Sequence, residues 1–198
     1  MTLEELKKEI AKPHKDYKSV DAKLSNFDDF SNLKPGVGVY AISVDISKIE
    51  NEKILKCIEE NSTQKNVIYI GKVSSRNIFK RCNQDINGTG PATFFRKIGS
   101  VLGYKSKSRN KLVKKNNFKF YDGKIKGIKG EEYEVKNDDK KRIKEWNHTN
   151  LRLKIFDTDS SNEKDLIQYF KPPFNEEYNW YYTCEEINDL RNRNKGLG

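Results

Sequence analysis

Two tyrosines, an arginine and a glutamate occupy settings in which their side chains could do chemistry. Tyr40 closes the run Gly38-Val39-Tyr40, and Tyr69 opens Tyr69-Ile70-Gly71; each lies within or beside a glycine-flanked β-run. Taken singly, such tripeptides usually report strand packing and a close backbone approach. Arg81 lies on the predicted helix after the second run, beside Phe79 and Cys82. Its planar guanidinium suits a phosphate. The competing reading is a pair with Asp85 one turn on, a surface interaction of little energetic weight. Glu163 stands three and four residues before Leu166 and Ile167, so helical periodicity sets its carboxylate on or at the edge of an apolar stripe. A carboxylate buried there needs a cation, a metal or several hydrogen bonds. Ser160-Ser161-Asn162-Glu163 also fits a capping box, which by itself accounts for the glutamate.

The charge is concentrated. The chain carries a formal net charge of +10, and the segment from Tyr104 to Asn147 holds 15 Lys or Arg against 7 Asp or Glu, a net +8. Its first part is purer: Lys105, Lys107, Arg109, Lys111, Lys114, Lys115 and Lys119 occur with no acid among them. Such a run neutralises phosphates and releases counterions, giving salt-sensitive affinity for a polyanion. The alternative is a solvated lysine-rich loop.

Short elements must position these groups. Leu3, Leu6 and Ile10 recur at helical spacing within a lead-in over residues 1–30, interrupted by Pro13. Val37 to Ile46 reads as a strand, Ser47 to Asn61 as an amphipathic helix capped by Ser47, and Asn66 to Gly71 as a second strand. Helices are predicted over about 75–86 and 92–102, with Gly88-Thr89-Gly90-Pro91 between them. Asp122-Gly123 sits between two alternating runs, a hairpin signal that would make a basic ribbon of Lys119, Lys124 and Lys126. Leu151 to Phe156 alternates as a third strand, and a helix over about 161–170 stops at Pro172-Pro173.

The 198 residues are only 34% hydrophobic, but 10 Phe, 10 Tyr and 2 Trp supply bulk for a core, which argues against wholesale disorder. No apolar run approaches the roughly 18 residues of a membrane span, and the start has no signal-peptide stretch. Cys57, Cys82 and Cys184 form no C-x-x-C pair, so neither a disulfide framework nor a zinc ribbon is supported. The expectation is a soluble, intracellular (cytoplasmic) protein with a polyanionic partner and no membrane partner.

The order GVY, YIG, arginine on the next helix, then glutamate ahead of a helix ending in Pro-Pro-Phe-Asn resembles the GIY-YIG nuclease family. The matching residues are Gly38-Val39-Tyr40, Tyr69-Ile70-Gly71-Lys72, Arg81, Glu163 and Asn175, covering about residues 36–103 and 150–176. The resemblance implies an α/β (α+β) fold: a small three-stranded mixed or antiparallel sheet flanked by helices, with a basic insertion before the third strand. It divides the chain into a helical extension at 1–34, a nuclease domain at 35–176 with the insertion at about 104–147, and a tail at 177–198. The domain is expected to stand alone.

The implied activity is metal-dependent endonucleolytic hydrolysis of a nucleic acid, with DNA the expected partner. The alternative is a noncatalytic nucleic-acid-binding module that keeps the fold. Glu163 would hold a single Mg²⁺ or Mn²⁺, and Arg81 would donate to the scissile phosphate. Tyr40 is favoured as base and Tyr69 as the group orienting water or phosphate, although the two roles could be exchanged. Lys72 could lower the pKa of the phenol, and Asn175 would orient neighbouring groups by hydrogen bonds. Arg76 rivals Arg81 for the arginine role, because Arg81 follows Gly71 by ten residues through an expanded loop. Lys72, Arg76, Lys105, Lys107, Arg109, Lys111, Lys114 and Lys115 would bind the substrate. Many members carry a histidine one turn beyond the arginine, where this chain has Asp85. Oligomeric state is not read from these features.

Overall fold

A computed structural model describes residues 1–12, 22–23, 36–61, 66–74, 77–89, 92–102, 105–106, 120–121 and 137–175, with 178, 187 and 189. In chain order these form α1 (Leu3–Ala11), β1 (Ala22–Lys23), β2 (Gly38–Val44), α2 (Glu52–Asn61), β3 (Val67–Val73), α3 (Ile78–Asn87) and α4 (Thr93–Val101). They continue with β4 (Lys105–Ser106), β5 (Phe120–Tyr121), α5 (Asn137–Asn150), β6 (Leu151–Asp157) and α6 (Asn162–Phe170).

The expected sheet forms and is antiparallel. Its order is β1-β6-β2-β3, with the two-residue β1 extending the edge beside β6. All seven residues of β2 are buried, as its nearly unbroken apolar sequence requires of a strand covered on both faces. On one face Tyr40, Ile42, Leu151 and Leu153 pack with Ile54 and Ile58 of α2, Ile86 of α3, and Phe94 and Ile98 of α4. On the other, Val39, Ala41, Ile70 and Phe156 meet Leu6 and Ile10 of α1 and Leu166, Ile167 and Phe170 of α6.

The lead-in helix therefore belongs to the packed structure. Thr2 and Glu5 form its capping box. Its end is set by Lys12, which adopts the extended backbone favoured before Pro13. Lys154 of β6, only 3% exposed, donates to the carbonyls of Glu9, Ile10 and Lys12 at 2.9, 3.1 and 2.7 Å. A buried ammonium is thus satisfied by the helix end whose carbonyls otherwise lack partners.

Two local expectations are corrected. The helix predicted from Ser47 begins at Glu52, because Asp45 accepts from the Ser47 N–H (3.1 Å) to close a separate 3₁₀ turn over Ile46–Lys48. Asn51, not Ser47, caps α2 by accepting from Ile54 N–H at 3.1 Å. The second correction is α5, which lies in the highly charged stretch where no helix was expected. Its apolar anchors are few, Ile143 and the partly buried Trp146, and polar ones complete it. Asn147 donates to Ile86 O at 2.8 Å, and His148 Nε2 lies 2.6 Å from Asn87 Oδ1, tying α5 to the end of α3. The Asp122-Gly123 turn lies outside the described residues; the described ribbon pairs β4 with β5, Lys105 opposite Tyr121. No described helix is long and apolar enough to cross a membrane.

Candidate active site

The two glycine-flanked runs become adjacent antiparallel strands, with Tyr40 directly opposite Gly71 and Gly38 opposite Val73. Gly38 is required by a close approach: a Cβ there would lie 2.1 Å from the Phe156 carbonyl oxygen. Bare backbone at Gly71 accommodates the Tyr40 ring. Tyr40 and Tyr69 then lie side by side with ring centroids 6.2 Å apart, and Phe94 of α4 supports Tyr69 at 5.1 Å.

Helix α3 brings two charges to these phenols. Tyr40 is fully buried, and its hydroxyl donates to Asp85 Oδ2. Arg81 Nη2 lies 3.4 Å from the same oxygen. The Arg81–Asp85 pair is therefore not the surface interaction its spacing suggests, since the Asp85 side chain has 0% exposure and Arg81 28%. The Arg81 charge also lies close enough to both phenols to oppose their upward shift.

Burial, and then the Asp85 charge, hold the Tyr40 and Tyr69 phenols well above the ordinary tyrosine value. Burial likewise raises Asp85, against the pull of Arg81 and the Tyr40 hydrogen bond. For Arg81, burial acts against the cation, but Asp85 and the phenols outweigh it and fix the positive charge.

Glu163 approaches the same strand from α6. The capping box does not form: Ser160 offers the Glu163 N–H only its backbone carbonyl, at 3.3 Å, and Ser161, which stands at the N-cap, has helical backbone angles and no side-chain cap bond. Instead Glu163 Oε2 lies 2.9 Å from Lys72 Nζ, with the carboxylate 12% exposed and the lysine 38%. The hydrogen bond to Glu163 raises the Lys72 pKa. Lys72 also sits 5.3 Å from the centroid of the Tyr178 ring. Glu163 is near enough to Tyr69 for its charge to help hold that phenol protonated.

Asn175 serves the strand itself. Its Oδ1 accepts from Ile70 N–H at 2.9 Å and its Nδ2 donates to Ile70 O at 2.8 Å. Phe174 N–H donates to Ile68 O at 3.0 Å. The Pro-Pro-Phe-Asn segment thus pairs with the outer edge of β3 and keeps it from being an open edge. Lys97, 1% exposed, donates to Phe174 O at 2.7 Å and holds the segment from α4.

Of the residues singled out in the sequence, Tyr40, Tyr69 and Arg81 converge on one cluster, Lys72 and Glu163 pair beside it, and Asn175 braces the strand between. Arg76, Lys107, Arg109, Lys111, Lys114 and Lys115 lie outside the described residues, and Lys105 is described only as backbone of β4. Among the described residues no three His, Cys, Asp or Glu side chains gather as a ready-made metal cage. Sequence reasoning missed the depth of Asp85. The signal was present: Ile78, Cys82, Asp85 and Ile86 recur at i, i+4, i+7 and i+8, the spacing of one buried helix face.

The arrangement offers a permanently charged guanidinium for an oxyanion, phenols for proton transfer and the Glu163 carboxylate for a hard cation. The family model described as the GIY-YIG catalytic domain matches residues 38–195. No curated protein and no solved structure matches the chain at a significant level.

Proposed function

The chain belongs to the GIY-YIG family, a nuclease type whose ligand is nucleic acid, and from that premise we propose that it is a metal-dependent endonuclease acting on DNA. One observation carries the reading. Arg81, the partly exposed member of a buried Tyr40–Asp85–Tyr69 cluster, presents a permanent positive charge to an incoming phosphate.

Each residue has a physical role in this reading. Arg81 donates to the non-bridging oxygens as charge develops, in a site already organised for it. Tyr40 takes the proton of the attacking water, and Tyr69 orients that water or the phosphate. Asn175 acts through Ile70, keeping β3 in register so that Tyr69 and Lys72 hold their places. Glu163 fits a hard divalent cation: it is a partly exposed carboxylate at the rim, the oxygen donor such a cation prefers. Mg²⁺ or Mn²⁺ held there by one carboxylate, waters and the substrate phosphate would neutralise charge on the phosphate.

The basic segment at about 104–147 grips the DNA backbone without reading sequence. Within that segment, Lys141, Arg142 and Lys144 are exposed on α5. A cytoplasmic setting belongs to the same reading.

The test is plasmid cleavage with Mg²⁺ or Mn²⁺, repeated on duplex, branched and single-stranded DNA and on RNA. The parent should cut, and Glu163→Gln and Arg81→Ala should each abolish cutting. Salt-sensitive binding without cleavage by the parent on every substrate would replace the enzyme by a binding module of the same fold.

A further inference from the structure

We propose that Asp85 is the terminal proton acceptor of the site: water passes a proton to Tyr40 Oη while Tyr40 passes its own to Asp85 Oδ2. The inference rests on the nuclease reading and adds to it a residue that acts through Tyr40.

The geometry carries the argument. Tyr40 donates to Asp85 from a fully buried position, so the direction of its O–H is already set. An oxygen that donates in this way keeps lone pairs with which to accept from a second donor. A free Tyr40 phenolate would put two anions in contact without water around them, which is strongly disfavoured. The relay avoids that state. The water O–H bond breaks as an O–H bond forms on Tyr40, and the original Tyr40 O–H breaks as one forms on Asp85. Hydroxide attacks, Tyr40 is neutral before and after, and the proton returns from Asp85 through Tyr40 once product has left.

The groups facing Asp85 agree with this assignment. They are Tyr40 on β2, Tyr69 on β3, Arg81 and Cys82 on α3, and Arg96 with the Phe94 backbone N–H on α4. Asp85 is the one carboxylate among them, and burial makes it a stronger base than a carboxylate in water. Its second oxygen, Oδ1, makes no hydrogen bond of good geometry among the described residues.

Arg81 links the relay to substrate. It covers Tyr40 and is the member of the cluster that reaches solvent, so a phosphate that draws the guanidinium outward opens Tyr40 Oη to the attacking water. Protonating Asp85 then removes the competing anion and leaves the Arg81 charge to the phosphate.

Two measurements on the full chain test the proposal. The first is cleavage by Asp85→Asn, a near-isosteric change. Its kcat should fall about 10²–10⁴-fold, the range for loss of a general base, with KM for DNA unchanged. Its rate should rise with pH where the parent has reached a plateau, because hydroxide must replace the relay. The second needs neither metal nor DNA: NMR of [ζ-¹³C]tyrosine-labelled protein, with Tyr40 assigned through Tyr40→Phe. The Tyr40 resonance should move as acid protonates Asp85, and the movement should vanish in Asp85→Asn. A parent that cuts, with Asp85→Asn matching its kcat and pH profile, overturns the relay alone. So does a Tyr40 resonance that is indifferent to acid or moves equally in Asp85→Asn. A parent that cuts nothing overturns the nuclease reading and the relay with it.

Discussion

The ring of Tyr40 lies on Gly71. The two are cross-strand partners, and a Cβ on Gly71 would stand 2.3 Å from Tyr40 Cζ and 2.4 Å from Oη. The glycine of the second motif is therefore needed by the tyrosine of the first. Each tripeptide is weak alone because half of its reason lies on the neighbouring strand.

Gly71→Ala should accordingly displace the Tyr40 hydroxyl from Asp85. Overpacking of this kind costs about 1–3 kcal/mol, and the hydroxyl cannot retreat because Asp85 lies beyond it. The expected result is a lower denaturant midpoint together with a large fall in kcat. A variant that keeps full activity would show that Tyr40 need not sit where it does.

Asn175→Ala should loosen β3 rather than remove a reacting group. It leaves the buried N–H and C=O of Ile70 without partners, at about 1–3 kcal/mol for each. Hydrogen exchange should rise at Ile70, and stability should fall by about 2–6 kcal/mol by denaturant titration. Asn175→Asp should be worse, because a carboxylate would face the Ile70 carbonyl.

Asp85→Asn should leave the protein at least as stable at neutral pH while removing activity. The carboxyl pKa is raised in the folded state by burial, so folding binds its proton more tightly. That contribution to stability is fully present below the ordinary value of about 4 and is lost as pH rises through the raised value. Urea unfolding over this window should show the parent losing stability relative to Asp85→Asn as pH rises. The opposite slope would mean that Asp85 is held ionised in the folded state.

Lys72→Met should separate metal affinity from catalysis. Lys72 competes with a cation for Glu163 at 2.9 Å, and a pair whose lysine reaches solvent is worth about 0.2–1 kcal/mol. Mn²⁺ binding, followed by water proton relaxation, should tighten by up to about fivefold. Cleavage should fall, because a cation that binds the substrate has been lost. Glu163→Gln should abolish the Mn²⁺ signal in both backgrounds.

Much of the frame was legible in the residues. The runs at 38–44, 67–73 and 151–157 announce strands through unbroken or alternating apolar residues, and the helix ending at Phe170 is set by Pro172 and Pro173. Less was legible where an element depends on partners outside itself. Helix α5 has a charged sequence and is held by Asn147 and His148 at the end of α3. At Glu163, the local capping pattern was present in the sequence but lost to Lys72, some ninety residues earlier in the chain.

By itself, then, the sequence determined most of the buried faces, the turns that stop the elements, and which tyrosines, arginine and glutamate those elements carry. Periodicity and turn chemistry are properties of neighbouring residues, so a linear reading reaches them. Only the tertiary structure decided what those groups do to one another. Tyr40 and Asp85 are 45 residues apart, and Asn175 and Ile70 are 105 apart. Burial makes such contacts strong by excluding water, and it follows from packing the sheet between two layers of helices. That packing turned an aspartate that reads as a surface partner of Arg81 into the buried carboxylate behind Tyr40.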